Sequence, residues 1–162
     1  EVIWTSVTAI AVLALGLMSA GGWDRIKGRD SVPPNAFPIM VHAKQFEWEI
    51  TYPGLDLQLG TADDFTLRSQ LHVPVDRAVK AMLTSEDAIH SFFVPAWRIK
   101  QDAVPGMRIQ IWFQPTQTGQ FELACAELCG LGHYRMRGSV TVHSQEEFDR
   151  WNRNRGQLAL GQ

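Results

Sequence analysis

The sequence predicts an all-β domain, an antiparallel sandwich or small barrel, preceded by a transmembrane helix. The first observation behind this prediction is a long apolar run at the start of the chain. The second is a series of short segments, after the prolines at 33 and 34, in which apolar and polar residues alternate. With 162 residues, a formal net charge of −2 and no basic stripe, the chain gives no support for a nucleic-acid partner.

Residues 2–20 contain no charged side chain and are about as long as the roughly 20 residues that a helix needs to cross a bilayer. A signal peptide would start with basic residues, whereas this segment starts with Glu1. A buried core helix of this length would have a polar face. We therefore predict a transmembrane helix over residues 1–22, with Trp4 and Trp23 as anchors near its two ends.

Three further regions follow this helix. Residues 23–37, which contain two adjacent prolines, are predicted to be a linker. Residues 38–143 are predicted to form the sandwich, and residues 144–162 a short helix with a tail. The helix is predicted to begin after Ser144, because Ser144 and Glu147 have the spacing of a capping box, and the tail is expected to be loose from residue 156.

The alternating segments of the sandwich predict its strands. The first alternation changes phase by one residue near Phe46, which predicts a β-bulge or a bend. Residues 65–73 are predicted to form one strand. Further strands are predicted at residues 79–83, 89–94 and 107–113, and on both sides of residues 125–136.

Residues 125–136 are the most chemically distinctive segment of the chain. They contain Cys125, Cys129, His133 and Met136, in the spacing Cys-x₃-Cys-x₃-His-x₂-Met. Thiolate, thioether and imidazole together suit copper better than other common biological metals. The glycines in this segment allow the backbone to fold tightly enough for these side chains to converge. We therefore predict a copper-binding loop.

Other interpretations of the loop are weaker. A small disulfide loop or two buried thiols would ignore the flanking histidine and methionine, and a tetrahedral zinc site would leave Met136 without a role. Copper needs a second histidine, and His90, at the edge of a strand beside a polar turn, is favoured. Two thiolates and two histidines fit two metal ions better than one. The sequence near the loop has no acid–base pair or activated nucleophile, which favours electron transfer over substrate chemistry. The remaining histidines are interpreted as surface or packed imidazoles: His42, His72 and His143.

Several stretches resemble subunit II of the haem–copper cytochrome c oxidases. They are CAELCGLGHYRM at residues 125–136, HSFFVP at 90–95 and KQDAVPG at 100–106. EVIWT at residues 1–5 is similar to the start of that family's second transmembrane helix. The resemblance extends from residue 1 to about residue 143. It implies a cupredoxin-like antiparallel sandwich outside the membrane that carries the dinuclear copper centre CuA.

The resemblance also implies a role for each site residue. Two cysteines would bridge both coppers, and each copper would also take one histidine and one weaker ligand. The side chain of Glu127 would reach a magnesium ion at the interface with the catalytic subunit, and Glu1 would lie at the mouth of a proton channel in that neighbour. In the ligand set that the resemblance implies, Cys125 and Cys129 bridge the two coppers. One copper is also bound by His90 and Met136, and the other by His133 and the backbone carbonyl of Glu127.

The implied function is electron transfer in a respiratory oxidase. The chain would accept electrons from a soluble or membrane-bound cytochrome c and pass them to haem in subunit I, which reduces oxygen and pumps protons, with subunit III as a further partner. The sandwich would lie on the periplasmic side of the bacterial inner membrane, although the cations after the helix alone would favour the cytoplasmic side. The alternatives are a copper domain like that of nitrous oxide reductase, a quinol oxidase subunit II without copper ligands, and a structural zinc module.

The chain departs from the family pattern in three ways. Phe46 stands where the family has the tryptophan that receives electrons, so electrons are expected to enter at Phe46 or at Trp48, which also fits a purely structural role. The family's first transmembrane helix has no counterpart in these residues, as expected for part of a longer chain. The 162 residues contain no Cys-x-x-Cys-His motif, so they predict no fused c-type haem.

Overall fold

The computed structural model describes residues 1–28 and 31–160. The chain divides into two compact units, Glu1–Pro33 and Pro34–Gln162. Positions 29 and 30 of the expected linker, and positions 161 and 162 of the expected tail, lie outside the described residues.

The described residues of the first unit contain one helix, α1 (Val2–Lys27). At about 1.5 Å per residue this helix is about 39 Å long, which exceeds the roughly 30 Å hydrocarbon thickness of a bilayer. Its length and composition suit a membrane span. The helix runs through Gly21 and Gly22, where the sequence predicted its end. Arg25 and Lys27 lie in its last turn, where cations interact favourably with the carbonyl end of the helix dipole.

The second unit is a sandwich of two five-stranded sheets. The first sheet has the order β3-β2-β1-β5-β8, and the second has the order β4-β10-β9-β6-β7. A helix, α2 (Gln145–Leu160), follows the last strand. The strands are β1 (Phe37–Lys44), β2 (Glu47–Tyr52), β3 (Phe65–Arg68), β4 (Gln70–Pro74), β5 (Val79–Ser85), β6 (His90–Val94), β7 (Ile99–Ala103), β8 (Ile109–Phe113), β9 (Gly119–Cys125) and β10 (Arg137–His143).

The core fills the space between the two sheets. In β1, β2 and β5 every second residue is buried, as the alternating pattern predicts for strands with one face on a core. The largest fully buried side chains include Trp48, Tyr52 and Phe92. Burying a side chain such as Phe92 stabilises the fold by about 1.5–3 kcal/mol. The predicted all-β sandwich after an apolar helix is confirmed.

The strand pairing differs from the prediction in two respects. Two pairs, β1 with β5 and β4 with β10, are parallel, so neither sheet is purely antiparallel. The phase change near Phe46 is a two-residue turn between β1 and β2, and the bulge interpretation is wrong. Because Ala43 pairs directly with Trp48 across this turn, both face the core, and the buried positions change from odd to even numbers.

Two other segments were predicted wrongly. Residues 65–73 are not one strand, because Ser69 adopts a left-handed φ of 53° that turns the chain from one sheet to the other. Helix α2 continues to Leu160, so the prediction of a loose tail from residue 156 is wrong for residues 156–160. Phe148, Asn152 and Gly156 lie four residues apart and form its buried face, which packing stabilises.

Candidate metal centre

The loop at residues 125–136 connects β9 to β10 at one end of the second sheet. β9 ends at Cys125, and a 3₁₀ turn, His133–Arg135, leads back into β10. His90 is the first residue of β6, which pairs with β9 so that Phe92 lies opposite Cys125. This register brings His90 to the loop from a distant part of the chain.

Five side-chain donors converge at the loop. The Sγ atoms of Cys125 and Cys129 are 3.8 Å apart, and His90 Nδ1 is 3.9 Å from Cys125 Sγ. His133 Nδ1 is 3.6 Å from Cys129 Sγ. Met136 Sδ lies 3.1 Å from His90 Nδ1 and 3.8 Å from Cys129 Sγ.

Three of these five separations, 3.6–3.8 Å, fit a shared metal, and the other two, 3.1 and 3.9 Å, lie close to the expected range. Two donors that bind one tetrahedral metal at bond lengths of about 2.0–2.3 Å lie roughly 3.3–3.8 Å apart. Sulfur atoms are weak hydrogen-bonding partners, so hydrogen bonds alone give little reason for two thiols and a thioether to face one another in a partly closed site. Among the described residues, His90, Cys125 and Cys129 form the group of three that could hold a metal ion. The donor set suits copper.

The site is closed on its inner side. His90 and Met136 have no exposed surface and Cys129 is 3% exposed, whereas Cys125 and His133 are half-buried. The pKa of the Cys129 thiol is raised to about 11, mainly by burial and next by the neighbouring Cys125. A bound cation would therefore have to displace the thiol proton at neutral pH, so metal binding at this site would release protons.

The other predicted ligand is the backbone of Glu127. Its carbonyl oxygen is 3.2 Å from Cys125 Sγ, so it faces the site, and the residue is exposed. Glu1 lies in the other unit, where it precedes the first turn of α1. The structure thus brings together the five side chains and one carbonyl that the sequence singled out.

The three remaining histidines do not reach the loop. His42 lies within hydrogen-bond distance of Thr84 and of Glu86. His72 Nδ1 and His143 Nε2 are 2.8 Å apart, and the two rings are stacked. Each is a packed or surface imidazole, as predicted.

The two aromatic residues proposed for electron transfer have different environments. Phe46 is half-buried under the loop, where a Cβ added at Gly132 would lie 2.4 Å from its Cδ2. The guanidinium of Arg135 lies 5.5 Å from the centre of the same ring. Trp48 has no exposed surface, and its ring meets that of His90 edge-on at 6.2 Å between centroids.

Two residues beside the ligands were not predicted from the sequence, Asp87 and Gln45. Asp87 accepts a hydrogen bond from His90 Nε2, and Gln45 donates one to the carbonyl of Cys129. Burial opposes ionisation of Asp87, but the hydrogen bonds from His90 and from two backbone N–H groups hold the pKa of its carboxyl below the usual range. Asp87 could have been predicted, because it lies three residues before His90 and histidine ligands commonly donate their second ring N–H to a carboxylate. No local pattern singles out Gln45.

A family model described as cytochrome C oxidase subunit II, periplasmic domain, matches residues 41–143. The chain belongs to this family. Among its relatives, the alternative cytochrome c oxidase subunit 2 of Bradyrhizobium diazoefficiens is 34% identical over 169 residues, which cover 91% of this chain and 59% of that protein. Cytochrome c oxidase subunit 2 of Thermostichus vulcanus is 40% identical over 121 residues, which cover 75% of this chain and 34% of the relative.

A solved structure agrees with these sequence relatives. The periplasmic domain of subunit II of cytochrome oxidase from Bradyrhizobium japonicum has a TM-score of 0.66 and 29% identity, over 79% of this chain and 96% of that domain. The resemblance stated from the sequence and the sandwich fold are therefore confirmed. An apolar helix ahead of a domain from this family fits attachment to a membrane. The chain spans between a third and three-fifths of the two sequence relatives.

Proposed function

We propose that this chain is the electron-accepting part of subunit II of a respiratory haem–copper oxidase. When bound at the loop, a dinuclear copper centre would accept electrons from cytochrome c and deliver them to haem in subunit I, where oxygen reduction is coupled to proton pumping. The observation that carries the proposal is the convergence of five soft side-chain donors on one small volume. Family membership supports the same assignment.

The separations within the site support the proposed division of ligands. Cys125 and Cys129 lie at the centre, and each has one imidazole nitrogen within 3.9 Å. His90 is beside Cys125, and His133 is beside Cys129. Met136 Sδ is 3.1 Å from His90 Nδ1, so these two residues would hold the same copper. Cys125 and Cys129 would hold the dinuclear centre together with these residues.

The second copper would need a weak ligand beside His133. The carbonyl of Glu127 is the proposed donor, because it already faces Cys125 Sγ at 3.2 Å. The exposed carboxylate of the same residue would reach a magnesium ion at the interface with subunit I. Glu127 would thus act through both its backbone and its side chain.

The protein around the site would limit structural change during electron transfer. His90 and Met136 are fully buried in the packed core, so this packing would hold both side chains in place around a bound metal. The same burial keeps water away from the inner side of the site. Phe46 is proposed to be where electrons enter, because its ring lies directly under the loop. Trp48 has no exposed surface, so a donor protein would reach it only through the residues that cover it.

The proposed setting is the bacterial inner membrane or its equivalent. Helix α1 would cross the bilayer beside subunit I, and the sandwich would lie on the periplasmic side. Glu1 would lie at the mouth of a proton channel in the neighbouring subunit, and subunit III would complete the complex. The cytochrome c donor would approach the sandwich from the periplasm.

The test is metal reconstitution of the full chain, purified in detergent. Loaded with copper, it should be purple, bind two coppers per chain and give an electron-spin signal in which one electron is shared equally by both. A colourless protein, or one that binds a single copper or prefers zinc, would overturn the proposal.

A pair of methionine variants tests the ligand set. Met136→Leu should retain copper and shift the reduction potential, because it removes the weak sulfur ligand. Met107→Leu is the matched control, because Met107 is 54% exposed and lies in another loop. Equal potentials in the two variants would remove Met136 from the ligand set.

A further inference from the structure

We propose that Asp87 is a positioning residue for the metal centre, and that it acts with Gln45 as a clamp between two ligands, His90 and Cys129. The clamp joins the β1–β2 turn to the turn before β6 and to the loop at residues 125–136. The inference rests on the proposed function only in taking copper as the metal.

The clamp is a continuous chain of hydrogen bonds. His90 Nε2 and Asp87 Oδ1 are 2.8 Å apart, and the backbone N–H of Ala88 donates to the same oxygen at 2.6 Å. The backbone N–H of Gln45 donates to Asp87 Oδ2 at 2.7 Å. Gln45 Nε2 then donates to the carbonyl oxygen of Cys129 at 2.5 Å. Both carboxylate oxygens are therefore occupied, and the two ligands are linked through one acid.

The first consequence concerns the tautomer of His90. An ionised carboxylate only accepts hydrogen bonds, and a neutral imidazole carries one N–H. Asp87 therefore places the ring proton on Nε2 and leaves the Nδ1 lone pair free to face Cys125 and Met136. Without Asp87, the proton can also sit on Nδ1, where it would have to be removed before a metal could bind.

The second consequence concerns the loop. A Cβ added at Gly130 would lie 2.7 Å from Gln45 Nε2, so the glycine makes room for this amide. The hydrogen bond to the Cys129 carbonyl then fixes the peptide that follows the buried thiol. A shift of the β1–β2 turn would thus move both the His90 ring and the Cys129 peptide.

Three substitutions in the full chain test the clamp. Asp87→Ala removes the acceptor, and Asp87→Asn keeps an oxygen acceptor but removes the charge. Glu86→Gln is the matched control, because Glu86 is an adjacent acid whose side chain is 64% exposed and pairs with His42 instead. Copper affinity is measured by competition with a chelator, the reduction potential by redox titration, and the His90 tautomer by ¹⁵N NMR of the metal-free chain.

The expected results separate positioning from surface charge. Asp87→Ala should lower copper affinity about 10- to 100-fold, the usual effect of losing such a partner. It should also raise the reduction potential, because an imidazole without a carboxylate partner donates less electron density to the metal. The Nε2–H signal of His90 should weaken, because part of the rings would then carry the proton on Nδ1. Asp87→Asn should restore most of the affinity and the signal. Glu86→Gln should match the wild type in all three measurements.

Two results would overturn the proposal that Asp87 positions His90. If Asp87→Ala keeps the Nε2–H signal and binds copper within twofold of the wild type, the clamp does not position His90. If Glu86→Gln lowers affinity as much as Asp87→Ala, the effect is one of general charge, and the proposal is also overturned.

Two further checks cover misfolding and failure to bind copper. Should Asp87→Ala fail to fold, Asp87→Asn and Gln45→Ala decide the question. Gln45→Ala should weaken copper binding by less than tenfold and leave the tautomer unchanged, since the backbone N–H at position 45 still donates to Asp87. A wild-type chain that binds no copper would refute the proposed function, while the NMR of the metal-free chain would still decide the clamp.

Discussion

Gly132 is the position where a single methyl group should disturb the metal loop most directly. A Cβ at this residue would lie 2.4, 2.6 and 2.7 Å from three ring atoms of Phe46, whereas ordinary contacts are 3.4–4 Å. The φ of Gly132 is −93°, which any residue tolerates, so the effect of Gly132→Ala is purely steric. The ring or the loop must move by about 1 Å, and overpacking of this kind destabilises proteins by about 1–3 kcal/mol.

The assay is urea unfolding of the full chain in detergent, followed by tryptophan fluorescence, together with copper affinity. Gly132→Ala should lower the free energy of unfolding by about 1–3 kcal/mol and weaken copper binding. In a Phe46→Ala background the same change should have an effect below about 0.5 kcal/mol, because the ring that it meets is gone. Gly22→Ala is the control, since a Cβ there has nothing within 4 Å. An equal effect of Gly132→Ala with and without the Phe46 ring would refute this reasoning.

Two further predictions concern pH and oxidation. Burial, with the neighbouring His143, lowers the pKa of His72 from 6.5 to about 4, so the unfolded chain takes up the proton first and stability should fall as the pH drops from 6.5 towards 4. The loss should be about 1–2 kcal/mol, because the ring is partly exposed and its charge is partly screened. In urea unfolding His72→Gln should reduce this dependence without removing it, because burial also lowers the pKa of His143. His42→Gln should keep the full dependence, and equal slopes in the two variants would contradict the assignment. The Sγ atoms of Cys125 and Cys129 are 3.8 Å apart in the free thiol form, so mild oxidation should form a disulfide between them. The disulfide should abolish copper binding, and a reductant should restore it. Thiol counting and copper analysis measure the two effects. Copper uptake that survives complete oxidation would argue against these cysteines as ligands.

Much of the candidate site was predictable because its donors are close in sequence. Four of the five side-chain donors lie within residues 125–136, and their types and spacing indicate a soft metal without any knowledge of the fold. Helix α1 was equally accessible, since the uncharged run over residues 2–20 is long enough to predict a membrane span. The alternation of β1 and β2 predicted a half-buried sheet for the same local reason.

Two of the errors in the fold have a common origin. The turn after Lys44 only shifts the apolar alternation by one residue, and the left-handed Ser69 turns the chain without interrupting the alternation at all. Periodicity reports which face of a strand is buried, but it does not report where one strand ends and the next begins. The extension of α2 to Leu160 has a different cause, because the packing of Gly156 against Gly54 offsets the weak helix propensity of this one glycine.

The sequence by itself determined the chemistry of this protein, namely an apolar anchor and a loop of soft ligands. The tertiary structure decided which distant residues complete the loop. His90 joins it through the register of β6 against β9, while Asp87 and Gln45 arrive from turns 42 residues apart in the chain. Sheet register depends on the packing of whole strands, which no short stretch encodes, so residues such as Gln45 carry no local signal of their role.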